Sequence, residues 1–90
     1  MLYMVIEDFR DGDPVPVYRR LREAGRQLPD GLRYVSSWVT RDFARCYQVM
    51  ETGNPTLLDE WMSLWRDLVR FDVVPVVTSA EAEMTIQRHS

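Results

Sequence analysis

The spacing of apolar residues divides the chain into segments of two kinds. Short runs rich in β-branched and aromatic residues predict strands, and apolar positions that recur every three to four residues predict helices. Four segments are of the first kind: Leu2–Phe9, Leu32–Thr40, Phe43–Glu51 and Phe71–Val77. Two are of the second kind, one running from Tyr18 to Leu28 and one from Leu57 to Leu68. The chain is therefore predicted to contain four strands and two main helices.

Capping residues mark where the helices begin. Asp13 stands before Pro14, and Asn54 stands before Pro55, so each pair supplies a side-chain acceptor followed by a residue suited to the first turn. Thr78 and Glu81 have the spacing of a capping box. A short additional helix is therefore expected in the C-terminal extension, at about residues 78–90.

The order of these elements, β-α-β-β-α-β, is that of the split βαβ or ferredoxin-like arrangement. Right-handed crossovers place both helices on one face of a four-stranded antiparallel sheet. We therefore predict a single α+β domain over residues 1–90, in which Pro75 marks the last strand as an edge strand or a bulged strand.

Neither face of this predicted sheet is polar. The first and last strands are apolar on both sides, whereas a sheet with one solvated face has polar residues on that face. The chain has no further element large enough to cover a second face. A homodimer with two sheets packed face to face, enclosing a barrel-like space, is therefore expected.

The space between the two sheets is the predicted small-molecule site, because one face combines aromatic walls with a few polar groups. Strict alternation places these candidate ligand-binding residues there: Tyr34, Ser36, Trp38, Cys46, Gln48 and Met50. Ser36 and Gln48 either contact the ligand or pair with each other or with the second subunit. Trp61 and Trp65 have the spacing of core residues, although two such rings could also form a stacking platform.

Charge argues against nucleic acid as a partner. The chain has 90 residues and a net charge of −3, and all 11 of its basic residues are arginines. Arg19, Arg20, Arg22 and Arg26 form one basic cluster, which we interpret as the solvated face of a helix. RNA stacked on Tyr3 and Tyr47 is the weakest alternative, because no basic-aromatic recognition motif accompanies them.

The sequence also gives little support for a disulfide, a metal or cofactor site, or a membrane or secreted location. Cys46 and His89 are the only residues of their types, so neither an intrachain disulfide nor a Cys/His metal set is expected. The acidic residues from Glu7 to Asp13 match no calcium loop. No haem or other cofactor is expected, and without a signal peptide or membrane span a cytoplasmic location is expected.

Four segments carry a resemblance to a known family: MLYMVIEDFRDGD, PVYRRLREAGRQLPDGLRYVSSWV, CYQVMET and LLDEWMSLWRDLVRFDVVPVVTSAEA. Together they resemble a bacterial family known as domain of unknown function 3303, over nearly the whole chain. The resemblance implies a dimeric α/β barrel. That superfamily includes isomerases, cofactor-free monooxygenases, haem-handling enzymes and ligand-sensing modules, so the fold leaves function open.

Two hypotheses about function follow. The first is a homodimeric module that binds a small, partly apolar metabolite. The second is a cofactor-free isomerase or monooxygenase-like enzyme, for which Tyr34, Cys46 and Glu7 are the candidate acids or bases. Cys46 is more simply interpreted as a small buried apolar residue than as a nucleophile.

Overall fold

A computed structural model describes residues 1–89 of the chain and contains one four-stranded sheet with helices. The strands are β1 (Leu2–Phe9), β2 (Leu32–Val39), β3 (Arg45–Thr52) and β4 (Val69–Val76). The helices are α1 (Val15–Ala24), α2 (Thr56–Ser63) and α3 (Ser79–His89), with a short 3₁₀ turn over Arg10–Gly12. The order of the elements up to β4 is the predicted one.

The sheet has the strand order β2-β3-β1-β4, and every neighbouring pair is antiparallel. This is the predicted α+β ferredoxin-like fold. Pro75 lies on the edge strand β4 opposite Tyr3, as expected for a residue that lacks a backbone N–H. The β2–β3 turn contains Phe43 in a left-handed conformation (φ 62°), so β3 begins at Arg45 rather than at Phe43.

The helix starts follow the predicted caps. Asp13 Oδ1 accepts a hydrogen bond from the Val15 N–H at 3.0 Å, and Asn54 Oδ1 accepts one from Thr56 at 3.2 Å. Helix α1 ends earlier than the periodicity predicts, because Gly25 adopts φ 67° while its N–H bonds to the Leu21 carbonyl at 2.9 Å. Gly25 therefore ends the helix, and nothing packs against it within 4 Å.

Helix α2 is also shorter than its apolar spacing predicts. After Ser63 the backbone continues in tighter turns, in which Trp65 and Leu68 each donate to the carbonyl three residues before them. The side-chain spacing survives this change well enough to keep Trp65 in the core. Helix α3 begins as predicted, with the Glu81 N–H bonded to Thr78 Oγ1 at 3.1 Å.

The helices α1 and α2 cover one face of the sheet and leave the other bare. The main core joins Tyr3, Val5 and Met50 of the two central strands to Trp61 and Trp65 of the α2 segment. Apolar residues of α1 pack against the same cluster. The prediction of both helices on one face is confirmed, and so is the interpretation of the two tryptophans as core residues.

A bulge in β2 changes which residues share a face. Tyr34 lies opposite Met50, whereas Ser36 lies opposite Val49, so Val35 is an extra residue between them. Residues of β2 after the bulge are therefore displaced by one position from strict alternation. Ser37, rather than Ser36, faces the helices.

The face without helices, which we term the open face, is apolar in its centre. One row runs across the sheet from Ser36 through Val49 and Met4 to Val74. A second runs from Trp38 through Tyr47 and Ile6 to Asp72 on the edge strand. Trp38 is 59% exposed. Helix α3 does not cover this face, because none of its residues is buried. In residues 1–89, no helix has both the length and the apolar character that a membrane span requires.

The core assignment predicts that alanine substitution at two methionines lowers the free energy of unfolding by very different amounts. Met50 is 0% exposed on β3, and Met84 is 56% exposed on α3. Met50→Ala should lower the free energy of unfolding by about 2–5 kcal/mol, because it leaves a cavity under the helices. Met84→Ala should change it by less than about 0.5 kcal/mol. Urea denaturation monitored by circular dichroism measures both, and equal losses would contradict this core.

Candidate functional site

A pocket of about 110 Å³ lies between the helix-covered face of the sheet and the helices. Its floor is made of buried residues: Glu7, Phe9, Cys46, Gln48, Trp61 and Trp65. The side toward solvent is made of more accessible residues: Val17, Tyr18, Leu21, Arg26, Ser37 and Val39. The walls are thus largely apolar, with a few polar groups, as in many ligand sites.

Glu7 is the most unusual residue of this pocket. It lies on β1, one of the two central strands, and only 7% of the residue is exposed. Among the described residues nothing forms a hydrogen bond or an ion pair with its carboxyl, and Oε2 is buried without any partner. Removal of the carboxylate from water raises the pKa of Glu7 to about 7, although the positive charge of Arg26 partly opposes this shift. Glu7 can therefore gain or lose a proton near neutral pH.

Arg26 is held in place by its backbone and by one aromatic ring. Its carbonyl accepts hydrogen bonds from Nε1 of Trp61 at 2.9 Å and Nε1 of Trp65 at 3.2 Å. The centre of its guanidinium lies 3.7 Å from the centroid of the Tyr34 ring. The two indoles thus fix the backbone beside the pocket, and stacking on Tyr34 orients the charge.

Two other titratable side chains border Glu7. Burial, with a smaller contribution from the negative charge of Glu7, raises the pKa of Cys46 to about 12. Burial, followed by the charges of Cys46 and Glu7, also raises the pKa of Tyr18. Both groups are neutral at physiological pH, so Cys46 is poorly suited to act as a nucleophile and Tyr18 can donate a hydrogen bond.

The structure divides the six predicted ligand-binding residues between the two faces of the sheet. Tyr34, Cys46, Gln48 and Met50 point toward the helices, not toward a space between two sheets. Ser36 and Trp38 lie on the open face, because the Val35 bulge reverses the alternation after Tyr34. The prediction that all six share one face is therefore wrong.

Of the four residues on the helix side, Cys46 and Gln48 border the pocket. The Gln48 amide donates to Met50 Sδ at 3.1 Å, not to Ser36. Tyr34 does not line the pocket, but supports it from behind by stacking on Arg26 and sharing a 2.7 Å hydrogen bond with Ser37 Oγ. Tyr3 and Tyr47, the residues of the RNA alternative, lie on opposite faces of the sheet.

Ser37 and Arg26 are pocket residues that the sequence pattern did not indicate. Ser37 could not be assigned to the pocket from the sequence, because the spacing of apolar residues does not indicate the Val35 bulge. Arg26 is missed because it lies beyond the end of α1, in a loop that appears helical from its apolar spacing.

Of the basic cluster, Arg20 pairs with Asp67 at 2.7 Å, so the interpretation of a purely solvated face fails for Arg20 and Arg26. Within residues 1–89, no three potential Asp, Glu, Cys or His ligands converge on a metal-sized site.

A family model described as domain of unknown function (DUF3303) matches residues 1–90. The chain belongs to this family. Neither a search of curated proteins nor a search of solved structures found a match.

The buried carboxyl makes the stability of the DUF3303 domain dependent on pH. The pKa of Glu7 rises from 4.5 to about 7 on folding, so the folded state binds the proton more tightly. Ionisation of Glu7 therefore costs no stability at pH 4, lowers the free energy of unfolding as pH rises from about 4.5 to 7, and imposes a constant penalty of about 3 kcal/mol above that range.

Glu7→Gln should raise the free energy of unfolding at pH 8 by about 2–3 kcal/mol and should change it little at pH 4. Urea melts across this pH range measure the effect. Glu23→Gln, at an exposed position of α1, is the matched control and should have no such pH-dependent effect. A wild-type stability that does not fall between pH 5 and 7 relative to Glu7→Gln would contradict the assignment.

Proposed function

We propose that this domain binds a small, partly apolar molecule in the pocket between the sheet and the helices. The observation that carries the proposal is Glu7, a buried carboxyl that borders the pocket and has no partner in residues 1–89. An unsatisfied buried acceptor costs about 1–3 kcal/mol, more when it is charged. A ligand that forms a hydrogen bond with this carboxyl would recover part of that free energy.

The pocket limits the size and character of such a ligand. Its volume of about 110 Å³ is somewhat below that of the engineered apolar cavity of about 150 Å³ that binds benzene. Phe9, Trp61 and Trp65 provide apolar walls, while Ser37 and Gln48 provide polar atoms. A body of one small ring or a short branched chain, with one or two polar groups, matches these dimensions.

A proton-transfer enzyme is the second candidate, and the pKa of Glu7 is the observation that favours it. A general acid or base is most effective when its pKa lies near the working pH, and that of Glu7 is about 7. Among the three candidate acids or bases from the sequence, Cys46 is too weak an acid and Tyr34 lies outside the pocket. Turnover that survives in Glu7→Gln would rule out this candidate.

Ligand binding is tested by an NMR screen of uncharged and charged fragments on ¹⁵N-labelled protein. Binders should shift the amide signals of Ser37, Cys46 and Gln48. Val39→Phe fills the pocket and should abolish these shifts, whereas Val35→Phe, at the exposed bulge of the same strand, should leave them unchanged. A screen without pocket shifts, or shifts that survive Val39→Phe, would contradict the proposed site.

We also propose that the open face binds a second copy of the chain. Its centre is apolar, and charged rows of both signs border it: Arg33 pairs with Glu51 at 2.6 Å, and Arg45 with Asp8 at 2.7 Å. An apolar centre with a charged rim is the usual composition of an interface, and a rim of both signs can be complementary to itself.

The size of the open face also fits a second copy. Four strands about 4.8 Å apart and about 26 Å long present about 500 Å² per subunit. A symmetric pair would bury about 1,000 Å², which reaches the lower limit for a specific interface. The pocket lies on the other side of the sheet, so dimerisation would leave it accessible.

Sedimentation at micromolar concentration tests the dimer. The wild-type protein should sediment at twice the mass of the 10.6 kDa chain. Trp38→Glu introduces a charge at an exposed position of the open face and should give monomers. Val15→Glu, at a similarly exposed position of α1, should remain dimeric. A wild-type monomer, or a Trp38→Glu dimer, would contradict this interface.

A further inference from the structure

Arg26 differs from the ion-paired arginines of this protein. Arg20, Arg33 and Arg45 each pair with a carboxylate at 2.6–2.7 Å. The guanidinium of Arg26 makes no ion pair or hydrogen bond among the described residues, although it is half-buried and lines the pocket. Its position is nevertheless fixed by the two indoles and by Tyr34. A positioned cation with unused donors is the arrangement expected of an anion-binding group.

Glu7 and Arg26 line the same pocket from two different elements, β1 and the loop after α1. No ion pair joins them, yet the charge of Arg26 still acts on Glu7 across the space. A ligand between the two groups therefore faces a cation at the solvent side and a carboxyl at the floor. This polarity discriminates between ligands of different charge.

We propose that the ligand of this pocket is a small organic carboxylate, whose anionic group is bound by Arg26 and whose body lies over the protonated carboxyl of Glu7. The inference rests on the proposed small-molecule site and narrows it to one chemical class. The protonated carboxyl of Glu7 is neutral and so avoids repulsion between two negative charges. Binding at neutral pH is thus coupled to the uptake of a proton.

The groups around Glu7 support the direction of this coupling. Tyr18 from α1, Arg26 from the following loop and Cys46 from β3 are the titratable or charged groups that face it. The α2 segment contributes uncharged indoles, and β4 contributes Phe71 opposite Glu7. An anionic ligand partly neutralises Arg26 and adds negative charge, and both effects raise the pKa of Glu7. A cationic ligand would have the opposite effect and release a proton.

Three compounds of one shape test the charge preference: benzoate, benzamide and benzylamine. Isothermal titration calorimetry at pH 7, in two buffers with different ionisation enthalpies, gives both affinity and the number of protons exchanged. Benzoate should bind about tenfold more tightly than benzamide, with uptake of a fraction of a proton, and benzylamine should bind most weakly. A preference for benzamide or benzylamine, or the release of protons with benzoate, would overturn the inference.

Single substitutions test the two proposed roles, anion binding by Arg26 and proton uptake by Glu7. Arg26→Gln keeps the backbone carbonyl that the indoles bind, and it should weaken benzoate about tenfold while leaving benzamide unchanged. Arg41→Gln, at an exposed arginine of the β2–β3 turn, should change neither. Glu7→Gln removes the titrating carboxyl and should abolish the proton uptake that accompanies benzoate binding. Benzoate affinity that is equal in Arg26→Gln and wild type, or proton uptake that persists in Glu7→Gln, would overturn the inference.

The same data separate failure of this inference from failure of the site itself. If none of the three compounds binds but uncharged fragments shift the signals of Ser37, Cys46 and Gln48, the carboxylate assignment is wrong and the site stands. If the fragment screen also gives no shifts, the proposed site is wrong, and this inference falls with it.

Discussion

A sheet that is apolar on both faces but has helices for only one of them governs this structure. Helices α1 and α2 cover the face that carries Val5 and Met50 and form the main core there. The opposite face keeps Met4, Val49 and Trp38 without cover from the described residues. The two sides of the sheet therefore have separate roles, with a small-molecule pocket proposed under the helices and a self-contact proposed on the open face.

The pocket depends on Glu7, a residue with an ionisable carboxyl at a strand position whose side chain enters the core. β1 is one of the two central strands, so every second side chain on it enters the core, and Glu7 occupies one of those positions between Val5 and Phe9. Removal of its carboxyl from water without a hydrogen bond lowers stability, which is the usual sign of a group kept for binding or catalysis. Trp61 and Trp65 reinforce this assignment, because their N–H groups fix the loop that brings Arg26 to the same pocket.

The fold could be predicted from the sequence, because strands, helices and caps are encoded locally. Asp13, Asn54 and Thr78 act as capping residues, and the antiparallel sheet with Pro75 on an edge strand is the predicted one. The predicted strands are offset by a few residues where local turns intervene, as at Phe43.

The composition of the site could be predicted only in part. Glu7 and Cys46 were identifiable as candidates by residue type. The face of the sheet on which the site lies could not be predicted, because alternation separates the two faces without showing which one the helices cover. The Val35 bulge then moves Ser36 and Trp38 to the open face, and no periodicity indicates a single extra residue. Arg26 depends on hydrogen bonds from residues 35 and 39 positions later in the chain, which a local pattern cannot contain.

The protonation of Glu7 is the property on which the pocket, its ligand preference and its chemistry all depend. Its side-chain carboxyl carbon can be followed directly by ¹³C NMR titration of protein labelled at glutamate, with Glu7→Gln used to assign the resonance. A midpoint near pH 7 for this one carboxyl, well above the 4.5 of an ordinary glutamate, is the expected result. A midpoint near 4.5 would mean that the carboxyl is solvated, and the functional site described around it would be wrong.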